Sequence, residues 1–598
     1  MAVEKLITQH IDTWTSALQT RSTAGRGSNG KIDLYGIKKL RELILELAVR
    51  GKLVPQDPND EPASELLKRI AAEKADLVKQ GKIKKQKPLP EISEDEKPFE
   101  LPSGWEWVRL SDISGYIQRG KGPKYAEYGS VKVVSQKCVQ WSGFKLEQSR
   151  WITDESIHSY TEDRFLKDGD VLWNSTGAGG TAGRVIYLPV VKEKLVVDSH
   201  VTLIRTVRDN GQFISNYIST YGIQQRFDPK HSNTLLSGTT NQAELNSSVV
   251  TSFLVPFPPQ MEQEKINDKA AELMSLCDQL EQQSLTSLDG HSQLVETLLA
   301  TLTDSQNAEE VAENWARISL HFDTLFTTEA SIDALKQTIL QLAVMGKLVP
   351  QDPNDEPASE LLKRIEQEKA QLVKDGKIKK QKPLPKVSDE EKPFELPVGW
   401  VWCQFDHIAK NEANALKAGP FGSALKKSMY VPTGYKIYGQ EQVISGDENL
   451  GDYYVDREKY ESLISCKVQP GDMLISLVGT IGKVLVLSNK CQEGIINPRL
   501  VKISLFKDVC RNYIQVVLAS KLIQDELFHE SHGSTMHVLN LGLLKKLIFP
   551  LPPMSEQFRI IDKINALDLL CEHLKSRLQS AQQTKLHLAD ALTDDALS

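Results

Sequence analysis

The sequence predicts an α+β fold in which two mixed α/β domains are separated by long antiparallel coiled-coil helices and related by a pseudo-twofold internal repeat. Three observations predict this fold: a long duplication, helical periodicity in the duplicated parts, and short strand-like runs between them. With 598 residues, the chain is too long for a single hydrophobic core. Its content of 40% hydrophobic and 25% charged residues excludes a fibrous or wholly disordered chain.

The duplication repeats long stretches without change. Residues 51–70, GKLVPQDPNDEPASELLKRI, recur letter for letter at 346–365, and GKIKKQKPLP at 81–90 recurs at 376–385. The repeated unit is far longer than the roughly 20–50 residues of a solenoid repeat. Two such units in one chain predict a molecule that imitates a homodimer.

The duplicated parts are predicted to be helical. Apolar residues at 40–49 lie on a broad helical face that ends at Gly51, and residues 62–79 begin with a proline and are followed by a glycine turn. Segments 260–303 and 554–592 carry leucines at three- and four-residue spacing, which predicts two long amphipathic helices. We expect these to pair as a coiled coil, with ordinary bundle helices as the alternative because strict heptads are missing.

The parts between the duplicated segments are predicted to be β-rich. Short runs such as 171–173 and 201–204 are bounded by Gly, Asn and Asp, and both parts contain a GDxL segment, at 169–172 and 471–474. The two parts otherwise barely align. We therefore divide the chain into an N-terminal helical region with its linker (1–102), a first mixed domain (103–259), a central helical region with its linker (260–397), a second mixed domain (398–553) and a C-terminal helix that pairs with the central helix (554–598).

Sequence signatures of catalysis and of metal binding are missing. No HExxH motif or His/Cys cluster occurs among the 12 histidines, and the seven cysteines form no CxxC pair. GAGGTA at 177–182 is followed by a strand-like run instead of the helix that a dinucleotide site needs. The tetrapeptide Asn/Asp-Pro-Pro-Phe/Tyr, which would hold a flipped adenine, is also missing. We therefore expect a non-catalytic chain with no metal site and no cofactor of its own.

Charge is distributed unevenly along the chain. The net charge is −7, yet basic residues slightly outnumber acidic ones in both mixed domains, as expected if only these domains meet an anionic polymer. The linker lysines Lys82, Lys84, Lys85 and Lys87 form either a solvated surface or a phosphate contact. No run of about 18 apolar residues and no signal-peptide core occur, so we expect a cytoplasmic protein without a membrane span.

Several short motifs together resemble a known family. Each mixed domain follows an LPxGWxW segment, contains a GDxL strand, closes with Pro-x-Pro-Pro and is followed by a helix containing Glu-Gln. This arrangement resembles the specificity subunit of type I restriction–modification systems, and the long repeated blocks resemble its larger subfamily. The resemblance covers essentially the whole chain.

The resemblance implies a non-catalytic subunit of a site-specific DNA methyltransferase and endonuclease complex. Its two target-recognition domains would each read one half of an asymmetric bipartite sequence in double-stranded DNA. Two modification subunits would dock on its helices, bring S-adenosylmethionine and methylate adenine N6. Two restriction subunits, which are ATP-dependent translocases and nucleases, would join through them, so that ATP and Mg are expected on partners and not on this chain.

Readout of base edges needs polar side chains on loops that reach a DNA groove. We therefore predict DNA-binding residues in loops of both domains, although each one taken singly can also be a solvated loop residue. In the first domain they are Arg119, Lys121, Lys124, Gln136, Lys137, Asn174, Thr176, Thr240 and Asn241. In the second domain they are Lys417, Ser423, Lys427, Gln440, Gln442, Ser534 and Thr535. The tryptophans of the LPxGWxW segments, Trp105, Trp107, Trp400 and Trp402, are predicted core anchors.

Two other functions compete with this interpretation. A fused restriction enzyme and methyltransferase would need the adenine-pocket tetrapeptide that the sequence lacks. A protein-interaction scaffold without a DNA role stays open. One further hypothesis follows from helix geometry: because half-sites one DNA turn apart lie about 34 Å from each other, a helix of about 23 residues would span the gap and fix the spacer.

Overall fold

The computed structural model describes residues 3–21, 31–177, 180–208, 210–238, 243–378, 387–476, 483–529 and 541–598. They form two compact units, Met1–Thr286 with Ala581–Ser598, and Ser287–Ser580. Each unit combines scaffold helices with one mixed α/β domain. No described helix combines the length and the apolar composition that a membrane span requires.

The first unit contains most of the strands in the described residues. The helices that begin in it are α1 (Val3–Gln9), α2 (Ile11–Ser16), α3 (Tyr35–Val49), α4 (Ala63–Lys79), α5 (Leu110–Ile113), α6 (Asp154–Ile157), α7 (Gly211–Ile218), α8 (Tyr221–Gln225), α9 (Ser247–Ser252) and α10 (Gln260–Asp304). Its strands are β1 (Gln19–Arg21), β2 (Lys31–Asp33), β3 (Glu106–Arg109), β4 (Ser114–Arg119), β5 (Lys132–Val134), β6 (Val139–Gln140), β7 (Gly143–Phe144), β8 (Arg150–Trp151), β9 (Asp170–Asn174), β10 (Val185–Leu188), β11 (Leu195–Val197), β12 (Val201–Thr206), β13 (Leu236–Ser237), β14 (Glu244–Leu245) and β15 (Leu254–Phe257).

Two sheets form the body of the first mixed domain. One has four antiparallel strands in the order β10-β9-β12-β4, and the other has the order β11-β5-β8, with β11 parallel to β5. Every residue of β9 is buried, including the polar Asp170 and Asn174 at its two ends. A separate antiparallel pair, β15-β3, joins the two ends of the domain where the chain enters and leaves it.

The second unit contains the second mixed domain. Its remaining helices are α11 (Ala308–Ser319), α12 (Phe322–Leu325), α13 (Glu329–Val344), α14 (Ala358–Lys374), α15 (Phe405–Ile408), α16 (Gln440–Ser445), α17 (Arg457–Ser462), α18 (Arg511–Ala519), α19 (Lys521–His529), α20 (Leu541–Lys546) and α21 (Met554–Leu597), the last of which ends in the first unit. Its strands are β16 (Val401–Gln404), β17 (Leu416–Ala418), β18 (Tyr435–Tyr438), β19 (Tyr454–Val455), β20 (Met473–Ser476), β21 (Val484–Val486), β22 (Gly494–Ile496), β23 (Leu500–Ile503) and β24 (Ile548–Leu551).

The second mixed domain repeats the strand order of the first. Its sheets run β21-β20-β23-β17 and β22-β18-β19, again with one parallel pair, and β16 pairs with β24 where the chain enters and leaves. The predicted fold class is confirmed in its mixed domains, its long helices and its internal repeat. Two sequences that barely align therefore build one topology.

The GDxL segments form the same turn in both domains. Gly169 and Gly471 have φ values of 84° and 83°, which a side chain rarely tolerates. The following Asp170 accepts a hydrogen bond from the backbone N–H of Lys167 at 2.7 Å, and Asp472 accepts one from Gln469 at 2.7 Å. The motif thus fixes the turn that leads into a buried central strand.

The remaining shared motifs meet where each domain joins its long helix. The indole of Trp105 donates to Glu262 at 2.9 Å, and that of Trp400 donates to Glu556 at 2.9 Å, with all four side chains buried. The glutamine that follows each of these glutamates stabilises the same junction. In the first unit, Gln263 donates to the Pro258 carbonyl at 2.8 Å. The prediction that Trp105 and Trp400 are core anchors is confirmed, whereas Trp107 and Trp402 are only half-buried.

Helix α10 buries a stripe at heptad-like spacing within the first unit. The stripe consists of Ile266, Ala270, Leu273, Cys277 and Leu280. Burial raises the pKa of the Cys277 thiol to about 11, so this thiol stays protonated. Arg41 of α3 donates to Glu281 at 2.6 Å and ties the short scaffold helix to this side of α10. Pairing of α10 with α21 as an antiparallel coiled coil stays a prediction.

Candidate nucleic-acid interface

Loops from distant parts of the sequence converge at one end of the four-stranded sheet in the first domain. We call this place the first loop end and define it by Arg119, Gln136, Asn174 to Thr176, His200 and Glu244. Thr176 Oγ1 lies 2.6 Å from Nδ1 of His200, and Thr176 also forms an isolated β-bridge with Glu244. The strand ends therefore bring five separate segments of the chain together.

Arg119 is the cation at the centre of the first loop end. Its guanidinium donates to the carboxylate of Glu244 and to the backbone carbonyl of Ser199. Its side chain is 29% exposed, so part of it faces solvent. Because Glu244 already neutralises this charge, a phosphate or a base would have to compete with an internal ion pair.

Gly120, which follows Arg119, allows two segments of the chain to approach each other closely. A β-carbon at Gly120 would clash with the backbone carbonyl oxygens of Val197 and Asp198, so only glycine allows such a close approach of the two segments. The second domain has the same requirement, since a β-carbon at Gly419 would clash with the carbonyl oxygen of Asn497. A glycine therefore holds two loops together in each domain.

Asn174 and Gln136 occupy the interior of the first loop end. Asn174 is fully buried, and its amide donates to the backbone carbonyls of Gln136 at 3.2 Å and Thr181 at 3.3 Å. The carbonyl oxygens of both amide side chains are buried without a hydrogen-bond partner. Asn174 therefore links the loops that contain Gln136 and Thr181 in this conformation.

The three predicted lysines of the first domain are all exposed and do not join this cluster. Lys121 donates to the Ser159 carbonyl at 2.9 Å, and Lys124 pairs with Glu155 at 3.0 Å. Lys137 lies in the loop after β5. Thr240 and Asn241 lie outside the described residues.

The second domain builds its own cluster at the equivalent strand ends. We call it the second loop end and define it by Gln440, Ser476, Asn497 and Arg499. Gln440 Nε2 donates to Ser476 Oγ at 2.8 Å, and Arg499 Nη1 donates to Gln440 Oε1 at 3.1 Å. Among the predicted residues of this domain that the structure describes, Gln440 is the one that joins the cluster.

The other predicted residues of the second domain have different surroundings. Gln442 is fully buried: its Oε1 accepts from the Gly439 N–H at 2.7 Å, and its Nε2 donates to the Leu450 carbonyl at 2.6 Å. Gln442 would therefore have to break both hydrogen bonds before its side chain could contact a base. Lys417 is half-buried in β17, while Ser423 and Lys427 are exposed in the loops that follow. Ser534 and Thr535 lie outside the described residues.

Sequence reasoning missed several residues of the two loop ends. His200 and Arg499 are exposed and each immediately precedes a central strand, β12 or β23. Arg184, which precedes β10, donates to the Gly180 carbonyl at 3.1 Å and also to Gln140. The GDxL segments were the signal that could have found them, because aligning β9 with β20 also aligns the strands paired to them.

The electrostatics of the first loop end includes one buried carboxylate. Burial raises the pKa of Asp198, although the backbone N–H of His200 donates to it at 2.8 Å and the charge of Arg119 acts in the opposite direction. The described part of the chain contains no group of three or more His, Cys, Asp or Glu residues that could hold a metal ion. The loop ends thus offer hydrogen-bond donors, acceptors and cations, which suit contacts with base edges and phosphates.

Known proteins match this chain over its full length. Residues 102–289 and 425–582 match the family described as the type I restriction modification DNA specificity domain. The specificity subunits of the Escherichia coli type I restriction enzymes EcoEI and EcoAI are 50% and 48% identical, over 613 and 607 residues, covering 100% of each chain. The match to the crystal structure of the HsdS subunit from Thermoanaerobacter tengcongensis covers 84% of this chain and 98% of that chain, with 18% identity and a TM-score of 0.37.

Proposed function

Because the chain belongs to the specificity subunits of type I restriction–modification systems, we propose that each mixed domain reads one half of an asymmetric bipartite DNA sequence. Specificity subunits are non-catalytic members of a larger complex, so the chemistry lies on other subunits. The resemblance that the short motifs indicated is confirmed.

One observation carries the proposal: the two domains share a strand order but present different side chains at equivalent strand ends. The last residue of the first outer strand is Arg119 in one domain and Ala418 in the other. The last residue of the central strand is Asn174 or Ser476, and the residue before the neighbouring strand is His200 or Arg499. One frame with two sets of polar residues suits two different half-sites.

The proposal extends to partners and cofactors. Two modification subunits would dock on the scaffold helices, bind S-adenosylmethionine and methylate adenine N6 in each half-site. Two restriction subunits would join through them and bring ATP and Mg. The relatives' names support this extension, because both are specificity subunits of type I restriction enzymes. A complex that acts on cellular DNA would work in the cytoplasm.

The long helices would set the distance between the half-sites. Helix α10 has 45 residues, and a helix rises about 1.5 Å per residue, so it is long enough to bridge one DNA turn of about 34 Å. An insertion of one helical turn after Leu280 is expected to lengthen the spacer that the complex tolerates. An unchanged spacer, measured by methylation mapping, would refute this role.

The proposed function is tested by expressing the full chain with its modification subunits in a host without N6-adenine methylation. Sequencing of methylated positions is expected to show one asymmetric bipartite motif. The control is the same host carrying the modification subunits alone. Absence of sequence-specific methylation, together with no sequence-specific retention of DNA in a gel-shift assay at stated salt, would favour a protein-interaction scaffold instead.

A further inference from the structure

Arg499 is an exposed cation of the second loop end, and its backbone is fixed by hydrogen bonds. It immediately precedes β23, and its backbone N–H donates to the Asn497 side chain at 2.9 Å. The backbone of Asn497 donates in turn to the Tyr438 carbonyl at 2.9 Å. The close approach at Gly419 fixes the same turn from the other side. The backbone of Arg499 is thus anchored while its side chain points outward.

The guanidinium of Arg499 is oriented without being neutralised. Nη1 donates to Gln440 Oε1 at 3.1 Å, and Gln440 is held by Ser476, a fully buried residue at the end of β20. Among the described residues, no carboxylate forms an ion pair with Arg499. A guanidinium has five N–H donors in a rigid fork, so most of them remain for an outside acceptor.

The main cation of the first domain differs from Arg499 in being already paired. There the main cation, Arg119, is already bound to Glu244 and to a backbone carbonyl, whereas the position equivalent to Arg499 holds His200. An oriented arginine fork matches the O6 and N7 acceptors of guanine in the major groove, which is the commonest specific contact between a side chain and a base.

We propose that Arg499 reads a guanine in the half-site bound by the second domain, with Gln440 as the residue that orients its guanidinium. The inference rests on the proposed function and specifies one base type in one half-site. A phosphate contact by the same side chain is the competing outcome, because it would use the charge but not the fork.

The test compares three variants of the full chain, each expressed with the modification subunits. Arg499→Ala removes the fork and the charge, and Arg499→Lys keeps the charge alone. Arg457→Ala is the matched control, since Arg457 is an exposed arginine of the same domain, paired with Glu461 at 2.8 Å on α17. Methylated positions are mapped across the genome, and affinity for the mapped sequence is measured by gel shift. Co-purification with the modification subunits checks that each variant folds.

The expected result is a loss of discrimination at one guanine position of one half-site. With Arg499→Ala, methylation and binding of sequences altered at that position should rise about tenfold to a hundredfold relative to the original sequence, while the other half-site keeps its specificity. Arg499→Lys should lose part of the discrimination, and Arg457→Ala should lose none.

Three results would overturn the inference. Unchanged specificity of Arg499→Ala would show that Arg499 does not read a base. A uniform fall in binding to all sequences, restored by Arg499→Lys, would assign a phosphate contact. Relaxation at a position that holds no guanine would assign a different base. If the unmodified chain itself directs no sequence-specific methylation, the proposed function fails first, and the two failures are thereby distinguished.

Discussion

In the first domain the outer strand of the main sheet ends in Arg119, which is paired with Glu244, and in the second domain the equivalent strand ends in Ala418. The second domain instead presents Arg499, which is oriented by an amide and paired with no described carboxylate. Both loop ends nevertheless rest on the same strand order and the same glycine contact. Backbone geometry is therefore kept where strands meet, and side chains differ where the loops face outward.

The largest expected difference between the two domains concerns the buried aspartate of each GDxL turn, which has a different partner in each domain. Arg205 satisfies Asp170 at 2.7 Å, whereas the hydroxyl of Ser504 satisfies Asp472 at 2.6 Å. Arg205→Ala leaves a buried carboxylate without its counter-charge, which is expected to lower the free energy of unfolding by about 3 kcal/mol.

Ser504→Ala removes only one hydroxyl hydrogen bond and is expected to cost about 1–2 kcal/mol, since Lys502 still lies 3.8 Å from Asp472. Urea unfolding of the two variants, followed by hydrogen exchange to locate the affected domain, measures both effects. Equal losses in the two variants would contradict a difference between an ion pair and a hydroxyl.

The glycine contact is the next feature to test. Gly120→Ala places a β-carbon against two backbone carbonyl oxygens, so the loops must separate, and we expect a loss of about 2–3 kcal/mol together with weaker DNA binding. The matched control is Gly290→Ala in α10, where nothing lies within 4 Å of the added carbon.

In the interior of a helix the control substitution is expected to stabilise by about 0.5–1 kcal/mol. The midpoints of thermal unfolding of both variants measure these two effects. A midpoint for Gly120→Ala at or above that of the unmodified chain would show that the loops can part without cost.

The smallest expected effect concerns the joint between each domain and its long helix. Burial raises the pKa of Glu262 despite the hydrogen bond from Trp105. A carboxyl whose pKa is raised by folding stabilises the fold in its protonated form, and that contribution is lost as the pH rises through the folded-state pKa.

Glu262→Gln keeps a hydrogen-bond acceptor for Trp105 but cannot ionise. We expect it to reduce the fall in unfolding free energy between acidic and neutral pH by about 1 kcal/mol or less. The control is Glu264→Gln, an exposed carboxyl on the same helix, which should leave that dependence unchanged. Identical pH profiles for Glu262→Gln and the unmodified chain would contradict the assignment.

The sequence predicted the helices, turns and domain junctions well because these parts are duplicated. The repeated LPxGW, GDxL and Glu-Gln segments occupy turns and joints whose geometry is the same twice, as Trp105 with Glu262 and Trp400 with Glu556 demonstrate. The loop ends were harder to predict, since amide side chains such as Gln442 and Asn174 serve backbone groups that no local pattern reveals. His200 and Arg499 were missed because their position depends on pairing between distant strands.

The two ends of the chain belong to one compact unit, because residues Ala581–Ser598 are part of the unit that contains the N-terminus. There the Tyr35 hydroxyl donates to Asp590 at 2.7 Å, and Lys52 donates to the carbonyl of Leu597 at 2.7 Å. During synthesis, the portion made first therefore lacks part of its structure until the ribosome has translated residues Ala581–Ser598. A chain that stopped before residue 581 would leave the earliest-made unit incomplete, while the unit formed by Ser287–Ser580 would already hold all its residues.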